Sequence, residues 1–407
     1  MFSKKKTLIW VASLLNALLM AGFTFFWLRQ PYWSGDEFAL IRYTSIFKRL
    51  ILPLEDFPPR ERFLFVTLSW DKKLIEKSDA DGFPIGYQPI TDRKKLADFF
   101  SILAKKPDNH KFVICDVFFK DPSPDDSLLV ASINKVPNVL CSYHKGDDDQ
   151  PEYPALNVPR GLSDYETAQN GTFVKFKLVQ NDTLRSLPLL MYEKIYRKKF
   201  KEGLWCDSLG GTPILNAFIL DHRIRNFQLQ TDTMYSRIYF GEELLMLPEE
   251  EIYAMTKDRI VIMGDFEDQD IHETVYGDTP GPLILLNAFL AIEAGDNRLS
   301  MWFLVFILTG YTLVSFKCFS ENDLIERWVE KWSARSSFLG LALGVVSYAL
   351  VLIVMSVISY FLFNVHLTIL LLALYMNFLE KAVKFFRVRI YEKYILKKTS
   401  HLQAVES

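Results

Sequence analysis

Long runs of apolar, uncharged residues at both ends of this 407-residue chain constrain it most, because a run of about 20 such residues is stable only across a bilayer or inside a core. The first follows MFSKKK and extends from Thr7 to Leu28, with Asn16 as its only strongly polar residue. It is longer than the roughly 7 to 15 apolar residues of a signal peptide and has no A-x-A site before Arg29, so it reads as an uncleaved anchor. Three more runs lie near the C-terminus, at Ser300–Phe316, Ser337–Phe363 and His366–Leu379. The last is short and is expected to be the return arm of a hairpin, with the uncharged link around Asn364 on the far side.

Lys and Arg retained on the cytoplasmic side orient such helices. Lys4, Lys5 and Lys6 precede the first run, and Lys317, Arg327, Lys331 and Arg335 fill the link between the second and third. Lys381, Lys384, Arg387, Arg389, Lys393, Lys397 and Lys398 follow the fourth. All fall on one side if there are four spans. The expected layout is a cytoplasmic N-terminus (1–6), a membrane helix (7–28), an extracytoplasmic domain (29–299), membrane helices at 300–316, 337–361 and 364–380, a cytoplasmic loop (317–336) and a basic cytoplasmic tail (381–407). In the third run, Gly340 and Gly344 form a GxxxG pair that lets a neighbouring helix approach closely.

The net charge of -2 leaves no basic excess for a nucleic acid, and the Lys/Arg clusters flank apolar runs, so nucleic acid is not an expected partner. Cys115, Cys141, Cys206 and Cys318 form no CxxC pair, which gives a zinc or thioredoxin-type site nothing to stand on. Cys318 belongs at the membrane edge, leaving at most one disulfide outside; Cys115, within FVICDVFF, is expected to be buried.

Between the apolar ends, short β-type runs alternate with amphipathic helical ones, the pattern of an α/β domain with a mixed or parallel sheet flanked by helices. FLFVTLSW, KFVICDVFF, NVLCSYH, GTFVKFKLV, SRIYFGEE and RIVIMGDF read as strands. DRKKLADFFSILAK, DDSLLVASINK, LPLLMYEKIYRKKF and PGPLILLNAFLAIEAG read as helices, with Asp125 and Asp126 expected to cap the second of them at Ser127. A further amphipathic helix around Phe38 to Ile51 is expected to lie on the domain or on the membrane surface. The fold class expected is thus an α/β extracytoplasmic domain plus an α-helical transmembrane region of about four helices.

These residues resemble the CHASE2 family from about Phe38 to Asn297. The resemblance rests on the first strand followed by DRKKLADFFSIL, on KFVICDVFF with Asp116 and then PSPDDSLL, and above all on RIVIMGDFEDQDIHETVYGDTPGPLILLNAFLAI. It implies an extracytoplasmic sensor with an anchor helix before the domain and usually three after it. Relatives commonly continue into a cytoplasmic cyclase or kinase, whereas here Glu380–Ser407 is too short to fold as a catalytic domain.

In open α/β sheets ligands bind beyond the carboxyl ends of strands. The loop after Gly264 fits that place and carries Asp265, Asp268, Asp270 and His272 before Pro280 and Gly281. Three readings stay open: a ligand or partner site, a divalent-cation site, or side chains that only cap the next helix. Asp116, inside an apolar strand, must be paired or hydrogen-bonded and comes near this loop if the two strands are neighbours. Asp116, Asp265, Asp268, Asp270, His272 and Asn287 are the candidate ligand-binding residues; no catalytic residue, resident metal or cofactor is expected, since GxSxG and phosphate loops are absent. Lys381, Lys384, Arg387 and Arg389 are candidate contacts for anionic lipid or a cytoplasmic partner.

The function expected is a membrane-anchored sensor that signals through an associated membrane or cytoplasmic protein, with self-association as a further expectation. A scaffold subunit of a bacterial envelope complex is the alternative, and a metal-dependent hydrolase using the Asp/His loop ranks last.

Overall fold

The computed structural model describes residues 4–29, 35–51, 57–78, 81, 83–146, 148–167, 171–203, 206–230, 234–320 and 337–406. The chain divides into two compact units, one made of Met1–Leu40 with Leu299–Ser407 and one of Ile41–Arg298.

The chain opens with helix α1 (Lys4–Leu28) and helix α2 (Gly35–Ile51). α2 buries Ile41 and Ser45 and pairs Lys48 with Asp221 at 3.1 Å, while Tyr43, Phe47 and Leu50 stay exposed.

The second unit runs β1 (Phe63–Thr67), a hairpin of β2 (Lys72–Ser78) and β3 (Pro84–Thr91), α3 (Arg93–Lys105), β4 (Phe112–Cys115), α4 (Asp126–Ile133), β5 (Val139–Lys145) and β6 (Arg160–Leu162). Next come α5 (Leu187–Tyr196), β7 (Arg237–Tyr239), α6 (Glu249–Thr256), β8 (Ile260–Gly264), a hairpin of β9 (Ile271–Thr274) and β10 (Gly277–Pro280), and α7 (Gly281–Ala294). The main sheet has the order β7-β1-β8-β4-β5-β6, with every neighbouring pair parallel. Pro151–Glu152 adds a short antiparallel pairing to the end of β5, so the sheet is mixed.

Side chains alternate across a strand, and here both faces are covered, which is why the strands read as unbroken apolar runs. Phe63, Phe65, Phe112, Ile114, Ile260 and Ile262 pack in the core that holds α5 and α7. Leu64, Val66, Val113, Cys115, Val261 and Met263 pack in the core that holds α3, α4 and α6. α3 starts where Asp92 accepts from the Lys94 and Lys95 amides, and it buries Leu96, Phe99, Phe100 and Leu103. α7 has Pro282 in its first turn and stops at Gly295, whose φ of 82° is the left-handed conformation a helix end needs.

Four expectations change in detail. β4 ends at Cys115, because from Asp116 onward the chain leaves the sheet. GTFVKFKLV contributes the short strand Lys175–Lys177, paired with Ala217–Ile219 outside the main sheet, and the first residue of the strand Val179–Gln180, and Lys175 is buried rather than wet. α4 starts at Asp126, and Asp125 in its cap position makes no side-chain capping bond: it takes Lys73 Nζ at 2.6 Å, while Asp126 takes Arg93. The second half of the Asp/His stretch folds as the β9–β10 hairpin, placing His272 opposite Thr279. All four cysteines are free, with Cys115 and Cys141 in register on β4 and β5.

The helical unit adds α8 (Met301–Phe319), α9 (Ser337–Phe363) and α10 (Ile369–Glu406) to α1. Three helices are long and apolar enough to cross a membrane: Lys6–Leu28, Met301–Phe319 and Leu343–Phe363. The segments read separately as a fourth span and a tail form the single helix α10, which is not among those three but buries Leu372, Ala373 and Met376 in the bundle. A Cβ on Gly344 would collide with the Asn377 amide of α10, so the small residue sets the approach of α9 and α10. The side-chain surroundings of Gly340, and the loop carrying Arg327, Lys331 and Arg335, lie outside the described residues.

Candidate functional site

β8 enters the sheet last, between β1 and β4, and this insertion gathers segments distant in sequence at the carboxyl end of the sheet. There a cavity of about 510 Å³ opens, within the range of small-molecule sites. Asp116, directly after β4, lines it, as do Asp265 and Asp270 after β8, His272 on β9 and Gly281 at the start of α7. The strand adjacency required for Asp116 to meet the Gly264 loop is present: the Asp116 amide donates to Met263 O at 2.8 Å.

The wall also carries groups the sequence reading did not single out. His144 ends β5, Asp164 and Tyr165 follow β6, and Phe118 follows Asp116. His144 Nδ1 lies 2.6 Å from Asp164 Oδ1, and His272 Nε2 lies 2.6 Å from Asp270 Oδ1. An ionised carboxylate can only accept, so those ring nitrogens carry the protons. Each imidazole also meets an aromatic ring edge-on, His144 with Phe118 at 4.8 Å between centroids and His272 with Tyr165 at 4.9 Å. Two matching His–Asp–aromatic units therefore face the cavity, with Asp116 electrostatically coupled to both imidazoles.

Asp116 accepts a hydrogen bond from the Ser142 hydroxyl on β5. Burial first, and the Asp270 charge second, push its pKa up to about 7, against the opposing pull of Ser142, His144 and His272. Burial lowers the His144 pKa, but the bond and charge of Asp164 outweigh it and raise the imidazole above its ordinary value. Burial also drives the Tyr165 phenol far above its usual range, and its hydroxyl is buried without a hydrogen-bond partner among the described residues.

Asp265 has a local role as well. It accepts from Ser69 Oγ at 2.7 Å and from the Glu267 and Asp268 amides at 2.9 and 3.1 Å, which shapes the turn after β8. Burial raises its carboxyl, but these three donors together overcome that and hold it below the ordinary carboxylate range. Asp268 is exposed and does not line the cavity. Asn287 does not line it either: in the middle of α7 its Oδ1 accepts from the Arg223 and Ile224 amides at 2.8 and 3.0 Å, and its Nδ2 donates to Ile224 O and Leu283 O. Among the described residues no group of three or more His, Cys, Asp or Glu side chains is placed to hold a metal ion.

Of the basic candidates on α10, Lys384 pairs with Glu380 at 2.9 Å and Arg387 donates to the Phe319 carbonyl that ends α8. Lys381, Phe385 and Arg389 share an exposed stripe, with Arg389 over the Phe385 ring at 4.6 Å.

A single signal would have found the missed residues. Like Asp116 and Asp265, which the sequence did single out, the missed His144 and Asp164 lie within two residues of the carboxyl end of a parallel strand, and such ends converge. Compared with known families, the chain matches the family model described as the CHASE2 domain over residues 17–316, well over half its length. No curated protein and no solved structure matches it.

Proposed function

The chain belongs to the CHASE2 family, whose domains are sensory and extracytoplasmic, and from that premise we propose that it is a membrane-anchored sensor without catalysis of its own. In this reading the outer unit takes a solute into the cavity at the carboxyl ends of β1, β4, β5, β6 and β8, and the helices signal through an associated protein. The observation that carries the reading is the pair of His–Asp units around Asp116, a wall of preorganised polar groups in a cavity of ligand size.

The test is hydrogen exchange on the full chain in lipid nanodiscs, with and without fractionated solutes of the outside medium. Protection across 265–281 that appears in the native chain and is lost in Asp270→Ala with His272→Ala is the expected result. Solutes that leave exchange unchanged in both, or change it equally in both, refute the cavity as the sensory site.

The proposed topology places four spans in a bacterial inner membrane with both termini inside, the first half of α10 being the fourth. It is supported by the buried Leu372, Ala373 and Met376 and by the one-sided distribution of Lys and Arg. A reporter fused after Ser407 that proves active outside the cytoplasm would overturn it. Lys381 and Arg389, beside Phe385, are proposed to meet anionic headgroups. The scaffold reading keeps one supporting observation: the β2–β3 hairpin presents Leu74, Phe83 and Tyr87 in the open, 65 %, 68 % and 72 % exposed. Loss of co-purifying partners in Leu74→Glu with Tyr87→Glu, with the exchange response intact, would favour it.

A further inference from the structure

The wall of the cavity carries five aspartates against one lysine and one arginine. Apart from Lys72, which is exposed, its features that would attract an anion are already occupied by the protein itself. The start of α7 is covered by Asp270: its carbonyl takes the Gly281 amide at 2.8 Å, and its carboxylate lies where a Cβ on Gly281 would be. The start of α3 is capped by Asp92. Arg93, 2 % exposed, is held by Asp126 and the Asp121 carbonyl. Asp164 has the His144 ring and the Lys145 amide, and Asp270 has the His272 ring.

Asp116 stands apart from these. It makes no ion pair with Lys or Arg among the described residues, and its partner is a neutral hydroxyl. The buried Tyr165 hydroxyl on the same wall has no partner among the described residues. Phe118 and Tyr165, each nearly perpendicular to an imidazole, bring two aromatic rings to the same wall. The groups left over thus include the Asp116 and Asp121 carboxylates and the Tyr165 phenol oxygen beside aromatic rings, a set that suits an N–H-bearing positive charge.

Resting on the cavity reading above, we infer that the ligand is a small organic cation whose ammonium group is received by Asp116 and Tyr165. The incoming charge supplies the counter-ion that Asp116 lacks, and its N–H groups satisfy oxygens otherwise buried without a donor. Because Asp116 must be ionised to receive it, binding displaces a proton. His144, His272 and Asp270 are the other titratable groups that face Asp116.

The experiment measures thermal shift and calorimetric affinity on the full chain in nanodiscs with putrescine, ethanolamine and methylamine as probes. 1,4-Butanediol, succinate and calcium are the neutral, anionic and metal controls. At least one ammonium probe is expected to bind while the controls do not, with affinity rising about tenfold from pH 6 to pH 8. Asp116→Asn is expected to weaken that binding at least tenfold, and Asp268→Asn, outside the cavity, to leave it unchanged. Tyr165→Phe keeps the packing and is expected to cost a several-fold loss. Silence of all three ammonium probes, or undiminished binding in Asp116→Asn, overturns the inference. Binding of succinate, the diol or calcium that is abolished in Asp116→Asn overturns it too, yet leaves the cavity standing as the sensory site.

Discussion

The two units differ in how they treat several buried polar groups. In the helical bundle a set of them is matched to one another, Ser359 Oγ excepted among the described residues: Asn16 on α1 donates to Ser315 on α8 at 2.8 Å and accepts from Tyr375 on α10, and Thr24 meets Tyr311 at 2.8 Å. On α9, Ser356 takes His366 Nδ1 at 2.9 Å and the Leu367 amide at 2.9 Å. At the carboxyl end of the sheet, by contrast, a carboxylate and a phenol remain without a matching charge or partner around an open cavity. A closed network specifies how helices pack, whereas an unmatched one stores a cost that only an incoming group can relieve.

That contrast can be broken at several points. Arg93→Met removes a fully buried guanidinium and strands Asp126, so it is expected to cost about 3–5 kcal/mol in denaturant unfolding. A loss below about 1 kcal/mol would mean the cavity wall is not held by this pair. Asp116→Asn goes the other way. Its carboxyl pKa of about 7 in the fold lies above the ordinary 3.8, so native stability falls as pH rises from about 4 to about 7 and stays reduced above. The variant escapes that loss and should be more stable than the native protein by on the order of 2 kcal/mol at pH 8, with the advantage shrinking toward pH 4. A destabilised Asn variant at pH 8 would show that Asp116 is already matched.

Asn16→Leu in the bundle should cost about 1 kcal/mol in unfolding from bicelles, since Ser315 and Tyr375 lose their shared partner. A gain in stability would show the network to be unmatched as well. The smallest effect concerns His110, 3 % exposed, whose two ring nitrogens have no partner among the described residues and whose pKa is lowered by burial. The unfolded chain takes up a proton below about pH 6.5 that the folded one resists, so stability declines as pH falls through that range. His110→Phe should flatten the acid side of the pH–stability curve, and an unchanged curve would assign that slope to other groups.

Much of this was legible in the residues. The apolar runs announced the helices of the bundle, and unbroken runs such as RIVIMGDF announced strands covered on both faces. The Asp265–His272 stretch stood out because its acids and imidazole are contiguous in sequence and open into a helix. His144, Asp164 and Tyr165 did not, because each sits alone after a different strand and only strand order makes them neighbours. Asn287 drew notice beside that stretch, yet helical phase turns it to the Arg223–Ile224 backbone, and phase alone says nothing of what lies opposite.

The sequence by itself determined that the chain has a bundle of apolar helices and an α/β unit, because hydrophobic periodicity is local and each element carries its own pattern. Only the tertiary structure decided where the unmatched carboxylate lies. The insertion of β8 between β1 and β4, a pairing of strands almost 200 residues apart in sequence, brings Asp116 between two His–Asp units. Non-local strand pairing is chosen by the packing of the whole sheet, and no single segment records it.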